Sequence, residues 1–487
     1  MEAMMHRIQR FARRGALIAV VGLVACAVNP ATGERQLSFI GEAREIEMGA
    51  EYDKALVAEM GLYPDSALQA YVQAIGDALA ARSERPNLPW TFRVVDDPVV
   101  NAFALPGGYI YITRGILAHF DSEAELAAVI GHEIGHVTAR HSVNQLSRGM
   151  LAQLGLGAAS IFSPRVASLS DLASAALGVL FLKYGRDDER QADDLGLRYM
   201  RAANYDPREM PGVFAMLGRV SAASGGGSVP EWLSTHPNPE NREERIKAQV
   251  AALPGDFEGT VIGRDSYLRR LDGLVYGDDP RQGIFRDGEF LHPELRFRMR
   301  FPNGWKTANQ RQAVIGVSPA EDAVIQLTLS TARDPDAAAR AFASQQGIRT
   351  GAPARRTIHG LAATELGFEA ATQDGQAVTG AAVFIAHGDA VYQILAFAPR
   401  ARWSGHAAAV REAVGSFREL TDPKILGLQP WRLEIVRLER AMTIEEFARS
   451  HPSPVSVERL ALLNGVEPGE RLEAGRLVKR VVGDPLT

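Results

Sequence analysis

Apolar residues recur at three- and four-residue intervals over 41–62 and again over 66–84, the spacing of two amphipathic helices. The period then changes. Trp90-Thr91-Phe92-Arg93-Val94-Val95 reads as a strand, and Asn101 to Thr113 reads as strand, turn, strand around Pro106-Gly107-Gly108. After a polar start at Ser122, Leu126-Ala127-Ala128-Val129-Ile130 forms the apolar body of a helix suited to burial. Two apolar stretches follow, about Gly149 to Phe162 and Leu172 to Leu182, separated by Ser163-Pro164. Each is too short to cross a bilayer, which takes about 20 residues; a helical pair covering a cleft is expected. Helical spacing returns over 195–220, Ser224-Gly225-Gly226-Gly227-Ser228 is a flexible loop, and a charged helix follows Arg242.

Beyond about 257 the pattern becomes irregular, with Gly and Asp clusters, and 257–288 reads as a linker. Alternation resumes at Leu295-Arg296-Phe297-Arg298-Met299-Arg300-Phe301. Further strands fit 323–329, 362–368, 377–385 and 390–398, with helices at 336–346 and 403–417. The mixed α/β order over 289–420 is similar to the PsbP-like fold, and no catalytic constellation stands out there: His359, His387 and His406 are scattered. Over 428–487 the order is strand, helix, helix with Leu463-Asn464-Gly465, then a strand with Gly475 ahead of Val478-Lys479. This resembles a degenerate LysM module, which implies N-acetylglucosamine polymers and hence peptidoglycan as an anchor. A module that merely docks on the rest of the chain fits equally well.

Composition narrows the class. At 487 residues the chain is too long for one core, so two to four domains are expected. Hydrophobic content of 46% and charged content of 23% are ordinary for globular protein, and a net charge of −5 argues against a nucleic-acid partner. Residues 1–26 read as a targeting segment, with a basic head (Arg7, Arg10, Arg13, Arg14), a short apolar run and Leu23-Val24-Ala25-Cys26. That ending resembles a bacterial lipobox. It implies a lipid on Cys26 and, with Ala27 next, sorting to the outer membrane; a plain signal peptide cut nearby is the alternative. Cys26 is the only cysteine, so no intrachain disulfide can form.

The chemistry lies in His132-Glu133-Ile134-Gly135-His136. Histidines four apart stack on one helix face, about 6 Å apart along the axis, where two neutral imidazoles can grip one Zn²⁺. Glu133 is placed to serve as general base and acid on a water activated by that metal. The bare motif also occurs in ordinary helices. Gly135, a poor helix former, points to close packing or a metal-side approach. His141 lies about 140° round the helix from His136 and suits a supporting role better than ligation. In Arg186-Asp187-Asp188-Glu189-Arg190-Gln191-Ala192-Asp193, Glu189 and Asp193 share a helix face. Glu189 can complete a His₂Glu site, and Asp193 can hold the free N–H of a ligand histidine. A solvated charged helix is the plain alternative.

HEIGHVTARH followed by RDDERQAD resembles the gluzincin metallopeptidases of the HtpX and CAAX-prenyl-protease type, in particular their periplasmic BepA-like branch, over roughly residues 28–250. The resemblance implies one zinc on His132, His136 and Glu189, catalysis by Glu133, and Asp193 behind the ligands. It also draws in Thr235-His236-Pro237 with Arg242, implying that His236 comes near the metal, either steadying the tetrahedral intermediate or sitting on zinc at rest. Arg242 then braces Asp193 or the oxyanion. The fold class expected is α+β: a mainly helical zincin-type domain with a small sheet over 27–256, the 289–420 domain, and the LysM-like module. The function implied is a zinc metalloendopeptidase of the bacterial envelope, cutting misfolded or unassembled proteins. The alternative is a lipid-anchored chaperone or assembly factor with a plugged metal site.

Overall fold

A computed structural model describes residues 26–155, 183–223, 231–236, 242–371 and 376–484. The targeting run before Cys26, most of the apolar pair over 149–182, the glycine loop at 224–228 and the residues just after His236 lie outside them. Among the described residues no helix is long and apolar enough to cross a membrane.

The chain is α+β and divides into two compact units. One comprises the residues up to Tyr276 together with Arg432–Val482; the other runs from Gly277 to Trp431, with the last few residues of the chain.

The first unit opens with a hairpin, β1 (Cys26–Val28) and β2 (Arg35–Leu37), then α1 (Glu42–Met60) and α2 (Ser66–Ala80). A three-stranded sheet follows in the order β3 (Thr91–Val95), β5 (Tyr109–Thr113), β4 (Ala102–Leu105). The β3–β5 pair is parallel and β4–β5 antiparallel. The turn between β4 and β5 requires glycine: at Gly107, φ is +82°, and a Cβ would lie 2.9 Å from the Ile46 backbone. After a short turn of helix, α3 (Arg114–Leu117), comes α4 (Glu123–Thr138), which carries the HExxH motif. The remaining helices are α5 (His141–Gly155), α6 (Arg186–Ala202), α7 (Met210–Ala223), α8 (Glu231–Thr235), α9 (Arg242–Ala252) and α10 (Arg264–Arg270).

Two expectations are corrected here. The helical pattern over 195–220 is two helices, because Asn204 turns the chain into the left-handed region (φ 65°) and Asp206 caps a new turn begun by Pro207. The stretch read as a linker contains α10, whose Tyr267 is fully buried and donates to the Leu117 carbonyl at 2.7 Å.

In the same unit, strands Arg432–Arg437 and Leu477–Val482 pair antiparallel, with helices Ile444–Ser450 and Val457–Leu463 between them. The strand–helix–helix–strand order matches the LysM-like pattern. In the second unit, the longest strands are Leu361–Ala371, Ala377–His387 and Ala390–Pro399, central in an eight-stranded antiparallel sheet. Val383 and Ile385 pack under helix Trp403–Gly415, whereas Ala382 and Phe384 pack under helix Pro335–Ala343, as strand alternation dictates.

Candidate metal centre

Helix α4 is placed by its ends and by its glycines. Ser122 caps it, accepting from the Glu125 N–H at 3.1 Å. At the far end Arg85 donates to the Val137 carbonyl at 3.0 Å and is itself held by Glu45 at 2.8 Å. Nearly every side chain from Ala124 to Thr138 is buried, as expected of a helix apolar on most sides. Against α6 the approach is close: a Cβ on Gly135 would lie 2.9 Å from the Ala192 carbonyl oxygen, and one on Gly196 would lie 2.9 Å from the His132 nitrogen. That crossing sets Glu189 opposite the two histidines.

Four side chains meet there. One donor atom from each of His132, His136, Glu189 and His236 lies within 4.8 Å of every other, and all four residues are buried. Nε2 of His132 is 3.0 Å from Nε2 of His136 and 3.7 Å from a Glu189 oxygen. The protons can be placed by following partners outward. Asp193 is ion-paired with Arg242 and so accepts only; it lies 3.0 Å from Nδ1 of His132, which therefore carries the proton. Gln191 Oε1, 2.9 Å from Nε2 of His141, fixes that proton, and Nδ1 of His141 accepts from Nδ1 of His136 at 2.9 Å. Both Nε2 lone pairs thus face each other beside a carboxylate. This arrangement calls for a cation, and imidazole nitrogens with a carboxylate oxygen are a zinc-type donor set.

Burial shapes the electrostatics. It pushes the carboxyls of Glu133 and Glu189 up to about 7, holds His132 and His136 below the ordinary imidazole range, and lowers His236 to about 4. Burial also acts to raise Asp193, but the Arg242 guanidinium and the His132 hydrogen bond outweigh it and hold that carboxyl below its usual value. Arg242 bridges the two acids, with Nε 2.9 Å from Asp193 and Nη1 2.9 Å from Glu189.

His236, at the end of α8, reaches Glu189 at 2.9 Å through Nδ1 and lies 3.7 Å from Glu133 through Nε2. Every predicted site residue except Cys26 therefore falls in one cluster. Sequence reasoning missed Trp232 and Tyr184. Trp232 stacks on His236 with ring centres 4.8 Å apart, and its N–H points to Glu133 Oε1 at 3.4 Å. The one signal for it was its place four residues before His236 on a helical turn. Tyr184 stacks on His136 at 3.9 Å and meets the Ser142 hydroxyl at 2.8 Å; nothing in the sequence marked it.

Comparison with known proteins agrees with this geometry. The profile of Peptidase family M48 matches residues 66–250. The mitochondrial metalloendopeptidase OMA1 of Arabidopsis thaliana is 39% identical over 172 residues, 35% of this chain and 33% of that protein. The beta-barrel assembly-enhancing protease of Yersinia pestis is 30% identical over 231 residues (44% of this chain, 47% of that one), and that of Escherichia coli K12 is 28% identical over 245 residues (47% and 50%). The matches thus span a third to a half of these relatives' length. Among solved structures, cyanobacterial PsbP from Synechocystis is 12% identical with a TM-score of 0.21, covering 27% of this chain and 91% of that one. The profile match and the donor set coincide on the same helices, and through residues 66–250 the chain belongs to Peptidase family M48.

Proposed function

We propose that the chain is a zinc-dependent endopeptidase of the bacterial cell envelope, acting on unfolded or unassembled proteins. The observation that carries this reading is the convergence of His132, His136 and Glu189 beside the buried carboxyl of Glu133. His132 and His136 would hold zinc through Nε2, and Glu189 through a carboxylate oxygen. Bound there, zinc would polarise a scissile carbonyl and make water acidic enough to ionise near neutral pH.

The protein's own groups supply the rest. Glu133, poised near 7 by burial, can take a proton from the attacking water and return it to the leaving amine. Asp193 and His141 fix the ring tautomers, and Arg242 keeps Asp193 ionised. Strand β4 is paired on one side only among the described residues, so an extended peptide can add to it through backbone bonds. The printed name of the bacterial relatives supports envelope proteins as substrates. The basic head, apolar run and Cys26 support a lipid anchor, and the C-terminal module supports a peptidoglycan contact.

One observation favours a resting state that does not cut. His236 occupies a place in the donor set while Trp232 sits against Glu133, so both the metal site and the base are covered. A latent protease or a chaperone with a plugged site fits that cover. The test of the proposal is Glu133→Gln: cleavage of an unfolded protein such as casein should vanish while bound zinc remains. Surviving cleavage refutes the endopeptidase reading.

A further inference from the structure

The last strand of the C-terminal module places Lys479 where no solvent reaches; the residue is 0% exposed. A buried ammonium is unfavourable unless its three N–H donors find oxygens. Three are present. The carbonyls of Ala118 and Phe120 lie at 3.1 and 2.9 Å, and an Asp121 carboxylate oxygen lies at 3.1 Å. All three belong to the short loop that joins α3 to the metal helix α4.

Both partners of this contact are fixed. Asn464 accepts from the Lys479 N–H at 2.8 Å and donates to the Lys479 carbonyl at 2.9 Å. The next residue, Gly465, has φ +64°, and a Cβ there would lie 2.9 Å from Asp121 Oδ2. On the other side, the Asp121 N–H donates to Glu125 Oε2 at 2.5 Å, and the adjacent Ser122 caps α4. An apolar residue at 479 would leave the carbonyls of Ala118 and Phe120 without this partner at the point where the helix begins.

We propose that Lys479 is a positioning residue for the metal centre: its ammonium ties the C-terminal module to the 118–121 loop and so sets the axis of the helix bearing His132, Glu133 and His136. The inference rests on reading those residues as the catalytic centre. The lever is simple. The glycine crossing with α6 at Gly131 and Gly135 acts as a pivot, about 12 Å from the N-cap at 1.5 Å per residue. A 1 Å shift of the loop tilts the helix by about 5° and moves side-chain tips about 6 Å off the axis by about 0.5 Å. Misplacement of about 1 Å costs roughly a hundredfold in rate, so about tenfold is expected here.

The experiment uses the full chain. Lys479→Met keeps an apolar stem and removes the donors. It should leave circular dichroism unchanged, lower kcat toward casein about tenfold with KM within about twofold, and speed hydrogen exchange at the amides of 123–131. In Lys479→Ala, added n-propylammonium replaces the lost carbons and nitrogen; it should raise kcat at least about threefold, and n-propanol should not. Unchanged kcat with unchanged amide protection in Lys479→Met overturns the proposal, and so does equal recovery with propanol. Should either variant fail to fold, Asp121→Asn removes only the ion pair and carries the test: a fall in kcat of about twofold or more supports the role, and an unchanged kcat overturns it. Wild type run beside Glu133→Gln separates the two claims. If cleavage does not depend on Glu133, the endopeptidase reading has failed, and amide exchange, which needs no activity, still decides the role of Lys479.

Discussion

Replacing Gly135 by alanine sets two known effects against each other. In a free helix the change is favourable by about 1 kcal/mol. Here the new Cβ would sit 2.9 Å from the Ala192 carbonyl oxygen, 3.0 Å from the Ala192 Cα and 3.3 Å from the Leu195 Cβ. Carbon atoms rest about 3.5 Å apart, so α6 must retreat by about 0.5 Å. Because two of these three contacts are backbone, no rotamer change relieves them, and overpacking of this kind costs about 1–3 kcal/mol. The net effect on stability is therefore small and unfavourable, about 0–2 kcal/mol. The effect on metal is larger. Glu189 lies three residues before Ala192 on the same helix, and metal–ligand distances tolerate only about 0.2 Å. Zinc affinity should fall roughly 10–100-fold, the range seen when supporting contacts are lost. A competition titration with a chromophoric chelator measures the affinity, and thermal melting of the metal-free protein measures stability. A variant that binds zinc like wild type and melts higher, as the helix preference alone dictates, would show that the helix crossing does not set the donor spacing.

Three further outcomes follow from the same contacts. Arg242→Ala leaves Asp193 and Glu189 buried without their main counter-charge; about 3–5 kcal/mol of stability should be lost in denaturant unfolding, and wild-type stability would contradict the pairing. His236→Ala should raise cleavage of unfolded substrate if the resting site is plugged, whereas an unchanged rate would favour a chaperone without latent activity. The third concerns pH. Burial lowers His119 to about 3, so between about 3 and 6.5 the unfolded chain binds more protons and stability is lost as pH falls through that window. His119→Phe should show a smaller loss of melting temperature from pH 6.5 to 4 than wild type; parallel curves would refute the assignment.

The metal helix was legible because its information is local. Two histidines four apart and a glycine where propensity disfavours it are properties of five consecutive residues, and Gly135 does approach the Ala192 backbone. Glu189 and Asp193 could be read as one face of a charged helix, but only the HExxH motif gave that face a use. What surrounds them was not legible. Trp232, Tyr184 and Gln191 reach the histidines across the fold, and no spacing rule links them. In the second unit the polar strand Lys306–Asn309 is exposed along its whole length, so it carries no hydrophobic alternation to read. The break after Ala202 did have a local signal, Asp206-Pro207, which the apolar spacing on either side outweighed.

The central claim is that two rings of one helix and a carboxylate of another hold a single ion. Elemental analysis of purified protein beside His132→Ala tests it most directly. The account predicts about one zinc per wild-type chain and close to none in the variant. Equal zinc in both proteins, or none in wild type offered excess metal, would contradict it.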